Sequence, residues 1–370
     1  MKKTITLNGK TILVTGSPGF IGTYLVLRLL RDMTEGTVIS FDSMNDYYDP
    51  ALKEYRLRKI QEISADAAAR HVSVRHIFIK GSIADKKLVE EVFAAYRPEI
   101  VVNLAAQAGV RYSIDHPEAY MESNITGFFN ILEACRHNPV EHLVYASSSS
   151  VYGNNAKIPF STEDRVDAPV SLYAATKKAN ELLAHSYAKL YNIPCTGLRF
   201  FTVYGPAGRP DMFYYSATEK LLRGDSIRIF NYGNCRRDFT YVDDIVEGIV
   251  RVMQGAPVKE NGPDGLPVPP YALYNIGNGK PVNLMDFVQV LQEELVRSGL
   301  LPADYDFAAH RTLVPMQPGD VAVTYADTEA LERDFGYKPK TDIRTGLRAF
   351  AEWYRDYMGK ADGDDGRKRE

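Results

Sequence analysis

Cysteine is scarce: Cys135, Cys195 and Cys235 are the only three. Their odd number and wide spacing exclude a disulfide framework and a paired zinc ligand set, leaving free thiols in a reducing compartment and no metal as the expectation. Long apolar runs are missing as well. Nothing approaches the roughly 20 consecutive apolar residues of a membrane-spanning helix, and residues 1–9 are too short and polar for a signal peptide. A cytoplasmic location with no membrane partner is expected. Neither charge is in excess, with 44 basic against 47 acidic residues, so no nucleic-acid partner is expected and any anion binding must come from local clusters.

What the chain does have is length and apolar content, 370 residues at 45% hydrophobic, ample for one large core or two moderate ones. Short β-branched runs at 11–15, 38–42, 76–79, 100–104, 142–146 and 196–201 read as strands buried on both faces. Between them, 20–31, 88–96, 118–136 and 172–191 carry helical periodicity. This alternation predicts an α/β fold, a doubly wound parallel sheet spanning 1–201. From Thr202 the texture turns irregular, punctuated by glycine and proline. A smaller C-terminal α/β lobe for substrate is expected over 202–240 and 276–358, with a return to the first domain near 241–275. Within it, 242–245 reads as a strand end before a helix, and 258–270 as an exposed excursion. The polar stretch 359–370 reads as a disordered tail.

Gly16-Ser17-Pro18-Gly19-Phe20-Ile21-Gly22 follows the strand 11–15 directly and opens an apolar helix. That context makes the glycine spacing a dinucleotide loop: the first glycine permits the turn, the second lets a pyrophosphate approach a helix N-terminus, and the third lets helix pack on strand. The sheet is therefore expected to be of the Rossmann type. Asp42 ends the second strand about twenty residues on, placed to accept from ribose hydroxyls and to repel a 2′-phosphate, which favours NAD over NADP.

Tyr173 and Lys177 lie one helical turn apart and share a face. An ammonium there is expected to lower a phenol pKa that is about 10 in model peptides, making Tyr173 a usable base. A serine run, 147–150, sits upstream at a strand end, where a hydroxyl can hold a substrate alcohol beside the phenol.

With these parts in view, the chain resembles the extended short-chain dehydrogenase/reductases, specifically their nucleotide-sugar epimerases and dehydratases. The motifs that carry the resemblance, over roughly residues 8–354, are the glycine loop, Asn103-Leu104-Ala105-Ala106-Gln107, Ser148 to Gly153, the Tyr173/Lys177 pair, Arg199 to Pro206, and Arg237-Asp238-Phe239. The resemblance implies tightly bound NAD recycled within each turnover, and a homodimer paired through helices 118–136 and 172–191. It assigns Ser148 as the catalytic serine, Tyr173 as the base and Lys177 to the nicotinamide ribose. Leu104, Ala105 and Ala106 should line the nicotinamide half and Ile83 the adenine pocket, with Ser82 replacing the aspartate many relatives carry there.

Dehydratases and decarboxylases of this family place an acid beside the catalytic Ser/Thr, whereas this chain has Ser149-Ser150. Elimination lacks its proton donor, so an epimerase is expected. By resemblance, Arg237 would bind the diphosphate, Phe230 stack on uracil and Asp320 accept from the ribose. The segments 45–50, 108–113 and 208–212 look like those of UDP-glucuronate 4-epimerases. Thr202 and Arg209 are the candidates for the sugar carboxylate, with Arg111 and the serines Ser149 and Ser150 as further substrate contacts. The alternatives are a UDP-glucose/UDP-galactose 4-epimerase, a UDP-glucuronate decarboxylase, or an NAD-binding protein without catalysis.

Overall fold

The computed structural model describes residues 2–69, 72–316 and 322–365. Seven parallel strands form its centre: β1 (Thr11–Thr15), β2 (Glu35–Asp42), β3 (Ser73–Lys80), β4 (Ile100–Asn103), β5 (His142–Ser148), β6 (Cys195–Phe200) and β7 (Tyr271–Ile276). Their order in the sheet is β7-β6-β5-β4-β1-β2-β3. Side chains alternate between the two faces. Ile12, Val14, Val38, Val102 and Val144 join one buried cluster, while Leu13, Ile39, Val101 and Leu143 join the other. Each is fully shielded from solvent, a gain of about 1.5–3 kcal/mol per side chain.

Helices cover both faces of the sheet and build a second part beside it: α1 (Phe20–Asp32), α2 (Pro50–Ala69), α3 (Lys86–Tyr96), α4 (Phe128–His137), α5 (Leu172–Tyr191), α6 (Phe213–Leu222), α7 (Val242–Met253), α8 (Leu284–Arg297) and α9 (Ile343–Asp365). The expected helix 118–136 is not continuous. A short α-turn, Pro117–Tyr120, leads into a π-helix, Met121–Gly127, before α4 begins. The physical reason is Asn180, whose amide donates to the carbonyl of Asn124 at 2.6 Å and competes for an acceptor of the ordinary ladder. The Asn124 side chain in turn holds both backbone groups of Gln107, at 2.8 and 3.0 Å, beside the cleft described below.

Two other expectations change, and the exposed excursion gains a detail. Residues 242–245 are the first turn of α7 rather than a strand end; the strand is Phe239–Tyr241, and Asp243 and Asp244 sit where a helix N-terminus favours acids. The excursion 258–270 holds a small hairpin pairing Glu260–Asn261 with Pro267–Val268. The stretch from 359 is helical as far as Asp365, as α9 runs on past its buried apolar face, and 366–370 lie outside the described residues.

A second core is built largely of aromatic rings from α6, α8 and α9, including Tyr214, Tyr215, Phe287, Phe350 and Tyr354. Phe239 and Phe287 stack with centroids 3.9 Å apart. Short strands knit this part to the first: Thr202–Tyr204 pairs in parallel with Phe239–Tyr241, and Arg236–Arg237 lies between Val282–Asn283 and Val323–Thr324.

Candidate active site

Gly16 turns the chain at the end of β1 with φ +76°, and Ala105 N lies 2.6 Å from where a Cβ would stand, so a side chain there meets rigid backbone. Gly19 precedes α1 in an extended conformation; no side chain caps the helix and no acid occupies its first turn. The amides of Phe20, Ile21 and Gly22 therefore lack intrahelical acceptors and form a positive end facing a cleft. All the residues expected to touch the cofactor line this one cleft. Gly16, Gly19, Phe20, Ile21 and Gly22 form its middle, with Asp42, Ile83, Leu104, Ala105, Ala106, Tyr173 and Lys177 around them.

Asp42 ends β2 and accepts from Met44 N at 2.7 Å; burial raises its carboxyl, while Lys53 and Arg56 nearby pull it back down. Lys53 is buried, its ammonium 2.9 Å from the carbonyl of Asn45, and burial lowers its pKa. Sequence reading missed Lys53, Arg56 and the helix that carries them. Ser82 lines the cleft and accepts from Ala84 N at 3.1 Å, so it closes its own turn.

Helix α5 begins at an N-cap, Ser171, whose hydroxyl accepts from Ala174 N at 3.1 Å. Its inner face is mostly small, Ala174, Ala184 and Ala188, and carries Lys177 and Glu181 among them. This lets the helix lie close to the sheet and deliver Lys177 beneath the cleft, where its ammonium donates to Ala146 O at 2.9 Å. Burial lowers Lys177 to about 8. Tyr173 behaves differently from the expectation. Its pKa is raised, because loss of solvation outweighs the hydrogen bond from Ser148 and the field of Arg209 that lower it. Lys177 stands 6.0 Å from the ring centroid and is not among the groups that shift the phenol. The Ser148 oxygen already accepts from Ser150 N at 3.2 Å and Ser150 Oγ at 3.0 Å, which leaves its own proton to be donated.

Behind this trio sits a buried ion pair. Arg199 donates from Nε and Nη2 to the two oxygens of Glu181 at 2.8 and 2.9 Å, and Ser147 Oγ donates to the same carboxylate at 2.7 Å. Because Glu181 follows Lys177 by one turn and Ser147 adjoins Ser148, the pair ties α5, β5 and β6 together directly under the reacting groups.

The expected substrate residues are only partly gathered. Ser148 and Arg209 line the cleft, and Arg209 forms a two-pronged pair with Asp211, whose carboxylate also accepts from Tyr47 OH at 3.2 Å. Ser149, Ser150, Thr202, Phe230, Arg237 and Arg111 stand off it. Thr202 N donates to Asp238 O at 3.2 Å, and Arg237 Nη1 to Ala322 O at 3.0 Å. Phe230 has the guanidiniums of Arg111 and Arg228 within 5.4 and 5.5 Å of its ring. Asp320 lies outside the described residues.

Residues 12–277 match the model of the NAD dependent epimerase/dehydratase family. The chain belongs to this family. Among similar proteins is the protein CapI of Staphylococcus aureus, 48% identical over 94% of this chain and 99% of its own length. UDP-glucuronate 4-epimerase 4 of Arabidopsis thaliana is 46% identical over 96% of this chain and 77% of its own. Among solved structures, a UDP-glucuronic acid 4-epimerase from Bacillus cereus in complex with UDP-glucuronic acid and NAD superposes with a TM-score of 0.79 at 28% identity, covering 94% of this chain and 99% of that one. The cleft of this epimerase/dehydratase member fits the family's cofactor. Free helix amides suit a pyrophosphate, a strand-end carboxylate suits ribose hydroxyls, and Leu104, Ala105, Ala106 and Phe200 offer an apolar wall for a nicotinamide ring.

Proposed function

We propose that this protein interconverts UDP-glucuronate and UDP-galacturonate, an NAD-dependent 4-epimerase with no net redox. The observation that carries the reading is that Tyr173 and Arg209 line the same cleft in a chain whose relatives include named UDP-glucuronate 4-epimerases. When bound, NAD would supply the hydride acceptor and donor for carbon 4 of the sugar. The chain's own groups handle the proton and the grip. Tyr173 removes the proton of the carbon 4 hydroxyl and later returns it, with Ser148 holding that hydroxyl by hydrogen bond and Lys177 fixing the nicotinamide ribose. The raised phenol pKa belongs to the protein without its cofactor; an oxidised nicotinamide held against Leu104, Ala105 and Ala106 would add a positive charge that favours the phenolate.

Inversion requires the 4-keto sugar to turn while the nucleotide stays put. Arg237 and Asp320 are assigned to the diphosphate and ribose, Phe230 to uracil, and Arg111, 5.4 Å from the Phe230 ring, to a further substrate contact. Thr202 and Arg209 are assigned to the carboxylate, holding it out of the geometry in which a β-keto acid loses carbon dioxide, with Ser149 and Ser150 as further substrate contacts. Asp42 keeps the cofactor NAD rather than NADP.

A homodimer and a cytoplasmic location complete the proposal. Met121 and Phe129, from the π-helix and α4, and Leu182 and Leu190, one stripe of α5, are exposed apolar side chains on the two helices expected to pair. The three thiols are free and buried, as suits a reducing compartment. The test of substrate is to supply purified protein with UDP-glucuronate or UDP-glucose at equal concentration and follow both by proton NMR. Faster conversion of the uronate supports the reading, while preference for UDP-glucose transfers the assignment to a UDP-galactose 4-epimerase.

A further inference from the structure

Two arginines are among the largest side chains with almost no exposure, Arg56 and Arg199, each at 1%. Arg199 is neutralised by Glu181. Arg56 has no carboxylate within ion-pair distance among the described residues. It donates instead to main-chain carbonyls and a phenol: Nε and Nη2 to Ala207 O at 2.9 and 2.7 Å, Nη2 to Gly208 O at 2.8 Å, Nη1 to Pro18 O at 3.4 Å and to Tyr48 OH at 2.5 Å. A buried guanidinium satisfied in its hydrogen bonds but not in its charge is costly. Lys53 adds a second buried cation, and Asp42 is the carboxylate whose field both of them influence. Lys53 also feels Asp46, which leaves Arg56 as the cation behind the dinucleotide loop without a carboxylate of its own at ion-pair distance among the described residues.

The carbonyls that Arg56 grips belong to two functional loops. Pro18 lies inside the glycine loop, one residue before Gly19. Ala207 and Gly208 immediately precede Arg209, and Ala207 is held at φ +49°, a left-handed conformation unfavourable for a residue with a Cβ. Tyr24 of α1 donates to the adjoining Pro206 O at 2.9 Å, so three consecutive carbonyls of this loop are held by side chains of α1 and α2.

We propose that Arg56 is a positioning residue coupling the dinucleotide loop to the placement of Arg209. A dinucleotide bound on the glycine loop would bring negative charge to the loop whose Pro18 carbonyl Arg56 holds. The carbonyls of Ala207 and Gly208 that the guanidinium clamps then set Arg209 in the cleft that Tyr173 also lines. The identity of the sugar rests on the epimerase reading; the coupling does not.

The test compares wild type with Arg56→Lys, which keeps a charge and loses the fork, by amide hydrogen exchange with and without saturating NAD. In wild type, NAD is expected to slow exchange of 205–212 by about tenfold. In Arg56→Lys the protein still binds NAD, but the slowing at 205–212 disappears while that at 16–23 remains. Equal NAD-dependent protection in both proteins, or none in wild type, overturns the proposal. If Arg56→Lys does not fold, Tyr24→Phe, which frees only Pro206 O, takes its place and should reduce the same protection in part; unchanged protection overturns the coupling.

A second readout uses a ratio that does not depend on how much enzyme is active. In the side reaction the bond between carbons 5 and 6 breaks, carbon dioxide leaves, and its electron pair enters the enolate of the ketone, which takes a proton at carbon 5. Carbon dioxide released per 4-epimer formed should rise in Arg56→Lys and in Arg209→Lys, with no further rise in the double variant. An unchanged ratio in Arg56→Lys would leave it a purely structural residue and overturn the proposal. If wild type makes no UDP-galacturonate, the epimerase reading fails and hydrogen exchange still decides the coupling.

Discussion

Tyr173 illustrates how an isolated motif can name a residue and misjudge its environment. The Tyr173/Lys177 spacing is local and legible, but the pKa of the phenol depends on burial and on Arg209, which arrives from 36 positions further along the chain. The account assigns the proton step to this one oxygen, so Tyr173→Phe should lower turnover by about 10²–10⁴-fold while cofactor absorbance and NAD content stay as in wild type. Near-normal turnover would remove Tyr173 from the mechanism. At the other end of the sugar, Thr202→Val should weaken uronate binding and raise the UDP-pentose by-product, measured by chromatography of the products; no change in either would free Thr202 of its role. The glycine loop and Asp42 were readable for the same reason as Tyr173, being contiguous signals on one strand–turn–helix unit. Lys53, Arg56 and Asp211 were not, since their significance lies in partners that only the fold brings near. Arg56 and Ala207 are 151 residues apart.

Elements differ in legibility according to how apolar their buried faces are. Helix α1 follows the reading within a residue because its inner stripe is largely apolar, and α5 follows it although its inner face carries Lys177 and Glu181, because the Tyr173/Lys177 motif and alanine spacing mark it. Helix α2 went unread because Lys53 and Arg56 sit on its buried face beside Leu52, Ile60 and Ala67 and interrupt the apolar spacing. The functional role of those charges is what spoiled the pattern. The break in the helix over 118–136 was equally invisible, as it depends on the amide of Asn180 reaching the carbonyl of Asn124 from another helix. For pairing of two copies, the exposed stripe of α5 makes a direct prediction. Leu182→Glu should shift the protein from dimer to monomer in analytical ultracentrifugation, as a charge in an apolar interface is disfavoured; a variant that sediments as wild type places the contact elsewhere.

At the scale of the whole molecule, the sheet holds a pH-sensitive group unrelated to catalysis. His142 begins β5, fully buried, with Nε2 2.8 Å from Thr196 Oγ1 and Nδ1 3.3 Å from Met253 O, and burial lowers its pKa to about 4 from 6.5. The unfolded chain then binds a proton between those values that the native state does not, so stability is complete above pH ~6.5 and declines as the pH falls toward ~4. His142 should contribute about 1 kcal/mol to the stability lost in urea unfolding between pH 7.5 and 5.5, beside His76, which burial lowers in the same direction; the loss should be smaller in His142→Gln, and identical losses in both proteins would assign the acid sensitivity to other groups. The same sheet carries the cleft at its strand ends and brings the cofactor loop, Tyr173 and Arg209 together from three separate parts of the chain. The central claim is that hydride leaves carbon 4 and returns to that carbon without exchange. It is tested most directly with UDP-glucuronate deuterated at carbon 4. The account predicts UDP-galacturonate that retains the deuterium at carbon 4, with no NADH accumulating. Label lost to solvent, or NADH rising in step with released carbon dioxide, would contradict it.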